Sequence, residues 1–409
     1  MPTIQGARLM ADLRHLAEFG RYKTGVHRPT YSKVDMEARH WLSHRMTEAG
    51  LEPAIDGIGT VLGRSRKPGP RLLVGSHVET QPYSGWLDGA MGVLYGLELV
   101  RAFAEDPACA DLAIDVGAWA DEEGYYGSLM GSRSFCGEIT EADIDAAENK
   151  VDGKKLREAL REAGVAGRPR ARLDPKRYVG YLEAHVEQGD TLDGSGLRLG
   201  IVTGIVGINL YRLVFRGQQN HAGTTRMAVR KDAGVALVRL AAAIDRRFPE
   251  VAGPRSVWTT GRITLDPGAP SVIPGTAEML FQFRDVDPER LAVMERALDA
   301  LVAEANAQGP CRCELETVSR NPPHAMSPIF QDALEWAAER HAPKLHLRLP
   351  SAAGHDAQVF ARHIPAGMLF VPSIGGISHH FAEDTKEEDI VLGCQAFADG
   401  AERILRRAA

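Results

Sequence analysis

Histidines and carboxylates collect where apolar runs end. His77 in LVGSHVE, His185 in YLEAHVEQG, His221 in GQQNHAGTT and His379 in GGISHH each stand beside glycine or a carboxylate after a β-rich run. Asp88 follows His77 in the glycine-rich stretch GSHVETQPYSGWLDGAMG, and Asp121, Glu122 and Glu123 close the run LAIDVGAWA. Adjacent buried carboxylates repel, so keeping both ionised at a strand end is costly unless a cation is near. Imidazole and carboxylate together suit zinc, manganese, cobalt or nickel, and the set is large enough for two such ions. The plainer alternative is a scatter of loop residues with separate local hydrogen bonds; it explains any one histidine well and the whole set poorly.

Such residues need elements that carry distant segments to one edge. RLLVGS (71–76), LAIDVGAWA (112–120), YVGYLEA (178–184) and GMLFVPS (367–373) read as strands, and GVLYGLELVRAFAED (92–106) as a crossover helix. In an open α/β sheet, functional groups gather beyond the carboxyl ends of the strands, where side chains from remote segments meet. From about 207 the order changes to strand, helix, strand, strand, helix, strand, the split βαβ or ferredoxin-like arrangement. The loop DPGAPSVIPG (266–275) is long for the hairpin it joins. After 320 the α/β rhythm resumes with SPIFQDALEWAAERHA and a closing helix from 387. We therefore expect an α/β fold: one α/β domain, 1–206 and 320–409, interrupted by a smaller domain, 207–319.

The bulk properties exclude several classes. A net charge of -6 without a basic block argues against a nucleic-acid surface, and no apolar run approaches the length needed to cross a bilayer. The first residues lack the basic and apolar regions of a secretory leader, which predicts a cytoplasmic protein. The five cysteines have neither zinc-knuckle nor CxxC spacing and are expected to be reduced and structural. His15, His40, His44, His341 and His346 have ordinary surroundings and are set aside.

Taken in order, GSHVETQPYSGWLDGAMGV, DEEG with MGSRSFCG, YLEAHVEQG, GQQNHAGTTRMAVRKDA, GHDAQVFA and FVPSIGGISHH resemble the N-carbamoyl-L-amino-acid hydrolase and allantoate amidohydrolase family, over nearly the whole chain. That family belongs to the dinuclear metallohydrolases related to aminoacylases and glutamate carboxypeptidase. The resemblance implies a metallopeptidase-like three-layer α/β catalytic domain with an inserted ferredoxin-like α+β lid and dimerisation domain, and two divalent ions per chain. It implies His77 and His185 on one ion, Glu123 and His379 on the other, Asp88 bridging both, and Glu122 as general base. It also implies a homodimer in which His221 stabilises the oxyanion across the interface. Arg284, in FQFRD, matches the arginine that binds a substrate carboxylate; its alternative is a pairing with Asp285 or Asp287. Gln188, Ser271 and His355 fall at positions expected to touch substrate.

The departures lie around these positions. Glu79 stands where the family has an aspartate that orients the ligand histidine from behind, Ser271 where an asparagine is usual and Ile208 where glutamine is common. Tyr125 and Tyr126 shorten and change the loop after Glu123, and His380 replaces an asparagine. Read as pocket positions, they predict a less polar, aromatic-tolerant substrate. The expected activity is metal-dependent hydrolysis of a linear ureido or amide C–N bond in a small carboxylate-bearing molecule, N-carbamoyl amino acids first. Allantoate-like ureides, N-acyl amino acids and dipeptides are alternatives, as is an inactive binding or dimerisation relative. The metal, the stereochemistry and lid motion are left open.

Overall fold

The computed structural model describes residues 1–69 and 71–408. The fold is α/β, in two compact units: Met1–Thr203 with Met326–Ala409, and Gly204–Ala325. The expected boundary at 206/207 falls inside the smaller unit, because Gly204 and Ile205 pair antiparallel with Ala325 and His324 and tie both ends of that unit together.

The larger unit is built on a mixed sheet. Its centre is parallel: Arg71–His77 lies between Ala113–Trp119 and Tyr178–Val186, and Ala366–Val371 pairs with the far edge of Tyr178–Val186. Leu199–Ile205, Val61–Arg64 and Glu52–Ile55 extend it antiparallel on either side. Three of the central strands, Arg71–His77, Ala113–Trp119 and Ala366–Val371, are buried along their whole length, which is why they read as continuous apolar runs. Helices Gly6–Glu18, Ala90–Glu105, Pro328–His341 and Glu387–Ala408 contribute to one continuous apolar core with these strands. Gly75 is required in its strand: a Cβ there would lie 2.1 Å from the Gly117 carbonyl oxygen.

Parallel alignment sets the strand ends level. His77 pairs in register with Trp119, so the chain that leaves Trp119 towards Glu122 and Glu123 emerges beside His77. His185 pairs with Phe370 near the end of the neighbouring ladder, ahead of the loop that carries His379.

The smaller unit is a four-stranded antiparallel sheet in the order Val257–Asp266, Thr276–Asp285, Gly207–Arg216, Arg312–Asn321. Along Thr276–Asp285 the pleat turns Ala277, Met279, Phe281 and Phe283 into a core with helices Ala233–Val251 and Pro288–Gln308, and Arg284 to the other face. The loop 266–275 holds more structure than a long hairpin. Its Val272–Ile273 pairs with Asn220–His221. All five cysteines are free, and among the described residues no helix is long and apolar enough to cross a membrane.

Candidate metal centre

The carboxyl ends of the central strands bring five side chains together. His77, Asp88 and His185, all buried, form one group able to hold a metal ion; Asp88, Glu123 and His379 form a second, with Asp88 common to both. Asp88 Oδ1 lies 3.1 Å from His185 Nε2 and 3.6 Å from His77 Nε2, while its Oδ2 lies 3.4 Å from His379 Nε2. His379 Nε2 is 4.0 Å from Glu123 Oε2.

Backbone contacts orient both buried imidazoles. His77 Nδ1 lies 3.0 Å from the Glu79 carbonyl oxygen, and His185 Nδ1 2.9 Å from that of Val186. A proton on Nδ1 satisfies each carbonyl and turns an Nε2 lone pair toward Asp88; His185 Nε2 also accepts the Gly89 N–H at 3.2 Å. Lone pairs facing a carboxylate at these distances repel unless a cation or proton lies between them. The donor set therefore fits divalent metal, with the backbone support that ligand histidines need.

The electrostatics agree. Burial resists ionisation of Asp88, yet positive charge on the imidazoles of His185 and His77, the alternative to a cation between them, holds its carboxyl well below the usual range. Burial, with repulsion from Asp88, pushes Glu123 up to about 8, and burial pushes Glu122 well above its ordinary value. More carboxylates converge than the two histidines can neutralise. Gly89, with φ of 65°, is demanded by the packing: a Cβ there would come within 2.4 Å of the His77 ring.

Glu122 and Glu123 are adjacent but placed differently. Glu123 is gripped by Gln81, whose main-chain N–H and side-chain amide reach its two carboxylate oxygens at 3.0 and 2.7 Å. The Glu122 carboxylate receives no hydrogen bond among the described residues and stands 3.7 Å from His77 Nε2. Gln81 carried no signal in the sequence, because its role depends on which loop the neighbouring strand delivers beside it.

Glu79 corrects an expectation. Its backbone carbonyl, not its carboxylate, holds His77. The carboxylate instead accepts the Glu122 main-chain N–H at 2.6 Å and the Arg39 guanidinium at 2.6 Å, with Asp35 on the other side of Arg39. The extra methylene carries the acid group past the imidazole to these partners.

The other expected residues fall as follows. Gln188 donates its side-chain amide toward both Asp88 oxygens, at 3.3 and 3.4 Å, and sits 3.2 Å from His379 Nε2, so it borders the candidate metal groups. His355 is 2% exposed, bonded to Ser351 Oγ, with its ring edge-on to His185 at 4.5 Å. His355 thus backs a candidate ligand. Tyr125 and Tyr126 are 7% and 8% exposed and pack into the core with Tyr31 and Ile58, so they do not line a pocket. Asp121, at φ of 57°, accepts the N–H groups of Tyr125, Tyr126 and Gly127 and turns both rings inward. His380 lies exposed against Phe381.

His221, Ser271 and Arg284 lie in the smaller unit. His221 Nδ1 accepts the N–H groups of Gly223 and Thr224 at 3.0 and 3.1 Å, which leaves the ring proton on Nε2 as an outward donor. Ser271 joins the same loop through its carbonyl, which accepts the Ala222 N–H at 3.0 Å. Arg284 stands in register with Ile208 on one side and Val257 on the other, and bonds Gln282. The two aspartates are otherwise engaged: Asp285 binds Ser256 and the Asp287 N–H, and Asp287 caps the following helix.

Known proteins are similar to this chain over nearly its whole length. The model for peptidase family M20/M25/M40 matches residues 73–403. An N-carbamoyl-L-amino acid amidohydrolase of Geobacillus stearothermophilus is 32% identical over 96% of this chain and 97% of its own. An allantoate amidohydrolase of Bacillus subtilis (strain 168) is 32% identical over 94% of each chain. The crystal structure of an amidase of the hydantoinase/carbamoylase family from Burkholderia phymatum superposes with a TM-score of 0.94 at 51% identity, covering all of both chains.

Proposed function

The chain belongs to peptidase family M20/M25/M40, in its branch of carbamoyl-amino-acid and allantoate amidohydrolases, and on that footing we propose that it hydrolyses a linear C–N bond in a small carboxylate-bearing substrate. An N-carbamoyl amino acid comes first among substrates, with allantoate-like ureides and N-acyl amino acids behind. The observation that carries the proposal is the sharing of Asp88, whose two oxygens face two separate groups of metal-competent side chains.

Two divalent cations, one held by His77, His185 and Asp88 and the other by Asp88, Glu123 and His379, would acidify a water and polarise the scissile carbonyl. Zinc, manganese, cobalt and nickel all suit these donors. Glu122, whose carboxylate has no hydrogen bond among the described residues, takes a proton from the attacking water and delivers it to the departing nitrogen. The water oxygen bonds the carbamoyl carbon, the C–N bond breaks, and an amino acid and carbamate leave. The Nε2–H of His221 is the donor for the developing oxyanion. The Arg284 guanidinium fixes the substrate carboxylate by a two-pronged contact that an ammonium group cannot copy.

A homodimer is part of the proposal, with His221 serving the active site of the other copy. An exposed edge strand, Val257–Asp266, bearing Val257, Ile263 and Leu265, supports self-association of the smaller unit. Free cysteines suit a reducing compartment, so we place the protein in the cytoplasm. The test is a panel of carbamoyl, ureido and acyl substrates after loading with each of the four metals. Fastest release of an amino acid from its N-carbamoyl derivative supports the assignment; allantoate clearly best would replace it.

A further inference from the structure

Consecutive glutamates start with the same chemistry, and the proposed mechanism needs them to differ. The sequence does not say what makes Glu123 a ligand and Glu122 a base. The structure supplies a cause on the opposite segment, where the side chains of His77, Glu79 and Gln81 reach toward the glutamate loop while that of Thr80, bonded to Arg28, turns away.

We propose that Gln81 and Glu79 divide the two roles: Gln81 fixes the Glu123 carboxylate as a ligand, and Glu79 fixes the Glu122 backbone while leaving its carboxylate free to move. Gln81 holds Glu123 by three bonds. Its main-chain N–H reaches Oε1 at 3.0 Å, and its side-chain amide reaches Oε2 at 2.7 Å and the Glu123 carbonyl at 3.1 Å. An amide NH2 can only donate, so this grip holds the carboxylate with its remaining lone pairs directed past Gln81, where His379 and Asp88 stand. Glu79 acts one residue earlier and on the main chain alone, through the Glu122 N–H. The loop itself permits the split, since Asp121 and Gly124 on either side both have positive φ, 57° and 76°. Gln81 is thus a positioning residue, acting on the metal through Glu123.

The proposal rests on the two-metal assignment, and metal titration separates their failures. Chelator-treated full-length protein is titrated calorimetrically with cobalt(II), comparing wild type, Gln81→Leu, Gln81→Asn and Glu122→Gln. Wild type and Glu122→Gln should each take up two ions with matching affinities. Gln81→Leu, which keeps volume but loses the side-chain donors, should bind the first ion normally and the second roughly 10- to 100-fold more weakly. Gln81→Asn, which keeps a donor on a shorter arm, should fall between, and turnover in both should recover as cobalt is raised. If Gln81→Leu binds both ions like wild type, or loses both equally while melting like wild type, the division of roles is wrong. Should Gln81→Leu not fold, Gln81→Asn decides: unchanged second-ion affinity overturns the proposal. If wild type takes up fewer than two ions, the metal assignment has failed instead.

Discussion

Glu79 receives the main-chain N–H of Glu122 on one carboxylate oxygen and Arg39 on the other, each at 2.6 Å, with Glu79 and Arg39 both fully buried. The candidate base is therefore anchored to a charged pair deep in the protein. Removing one partner of a buried pair leaves an uncompensated charge, typically at a cost of about 3–5 kcal/mol. Asp35 still contacts Arg39, which sets the expectation for Glu79→Ala at the lower end, about 3 kcal/mol in urea unfolding. Because Arg39 also pairs with Asp35, an Arg39→Met, Glu79→Met double variant should stay destabilised but lose less than the sum of the two single variants, and additive losses would refute the coupling.

Gly89 should tolerate no side chain. A Cβ would press the His77 ring, and its positive φ adds a backbone strain of about 1 kcal/mol for any other residue. Gly89→Ala is expected to fold and to lose affinity for one metal ion, as measured by equilibrium dialysis.

His221→Ala should keep its metal and lose roughly 100-fold or more in kcat, the usual consequence of deleting an oxyanion donor. The proposed sharing across a dimer gives a sharper test. His221→Ala and Glu122→Gln chains, each nearly inactive, should regain about a quarter of wild-type activity when co-refolded in equal amounts, since half of the dimers are mixed and half of their sites intact. No recovery in verified mixed dimers would place His221 at its own chain's site or at none.

Arg284→Lys keeps the charge and loses the planar fork. KM for an N-carbamoyl amino acid should rise about 10- to 100-fold, corresponding to 1.5–3 kcal/mol for hydrogen bonds to a charged group. A substrate amide lacking the carboxylate should show no such change, and an equal effect on both would assign Arg284 to the fold.

The central parallel strands of the larger unit were legible because buried strands read as apolar runs, and the four strands of the smaller sheet were legible too, whereas the antiparallel flanking strands Glu52–Ile55, Val61–Arg64 and Leu199–Ile205 were not named from the sequence. Candidate ligands were legible for the same reason: His77, Glu123 and His185 stand where such runs stop. Support from across the sheet was not. Gln81 meets Glu123 only because parallel register sets His77 level with Trp119, and no local pattern encodes that. Tyr125 and Tyr126 were misread as pocket residues because Asp121 reverses the chain and sends them inward. Glu79 was misassigned because the identity of a side chain does not fix its reach.

Two divalent ions on a shared Asp88 are proposed to drive hydrolysis of a carbamoyl C–N bond, with Glu122 moving the proton. The most direct measurement is turnover of an N-carbamoyl amino acid alongside metal content, in wild type and Glu122→Gln, before and after chelation. The expected result is two ions per chain and steady release of amino acid in wild type, loss of turnover on chelation with recovery on reloading, and two ions without turnover in Glu122→Gln. Fewer than one ion per chain with no turnover of any carbamoyl, ureido or acyl substrate, or full activity in Glu122→Gln, would contradict it.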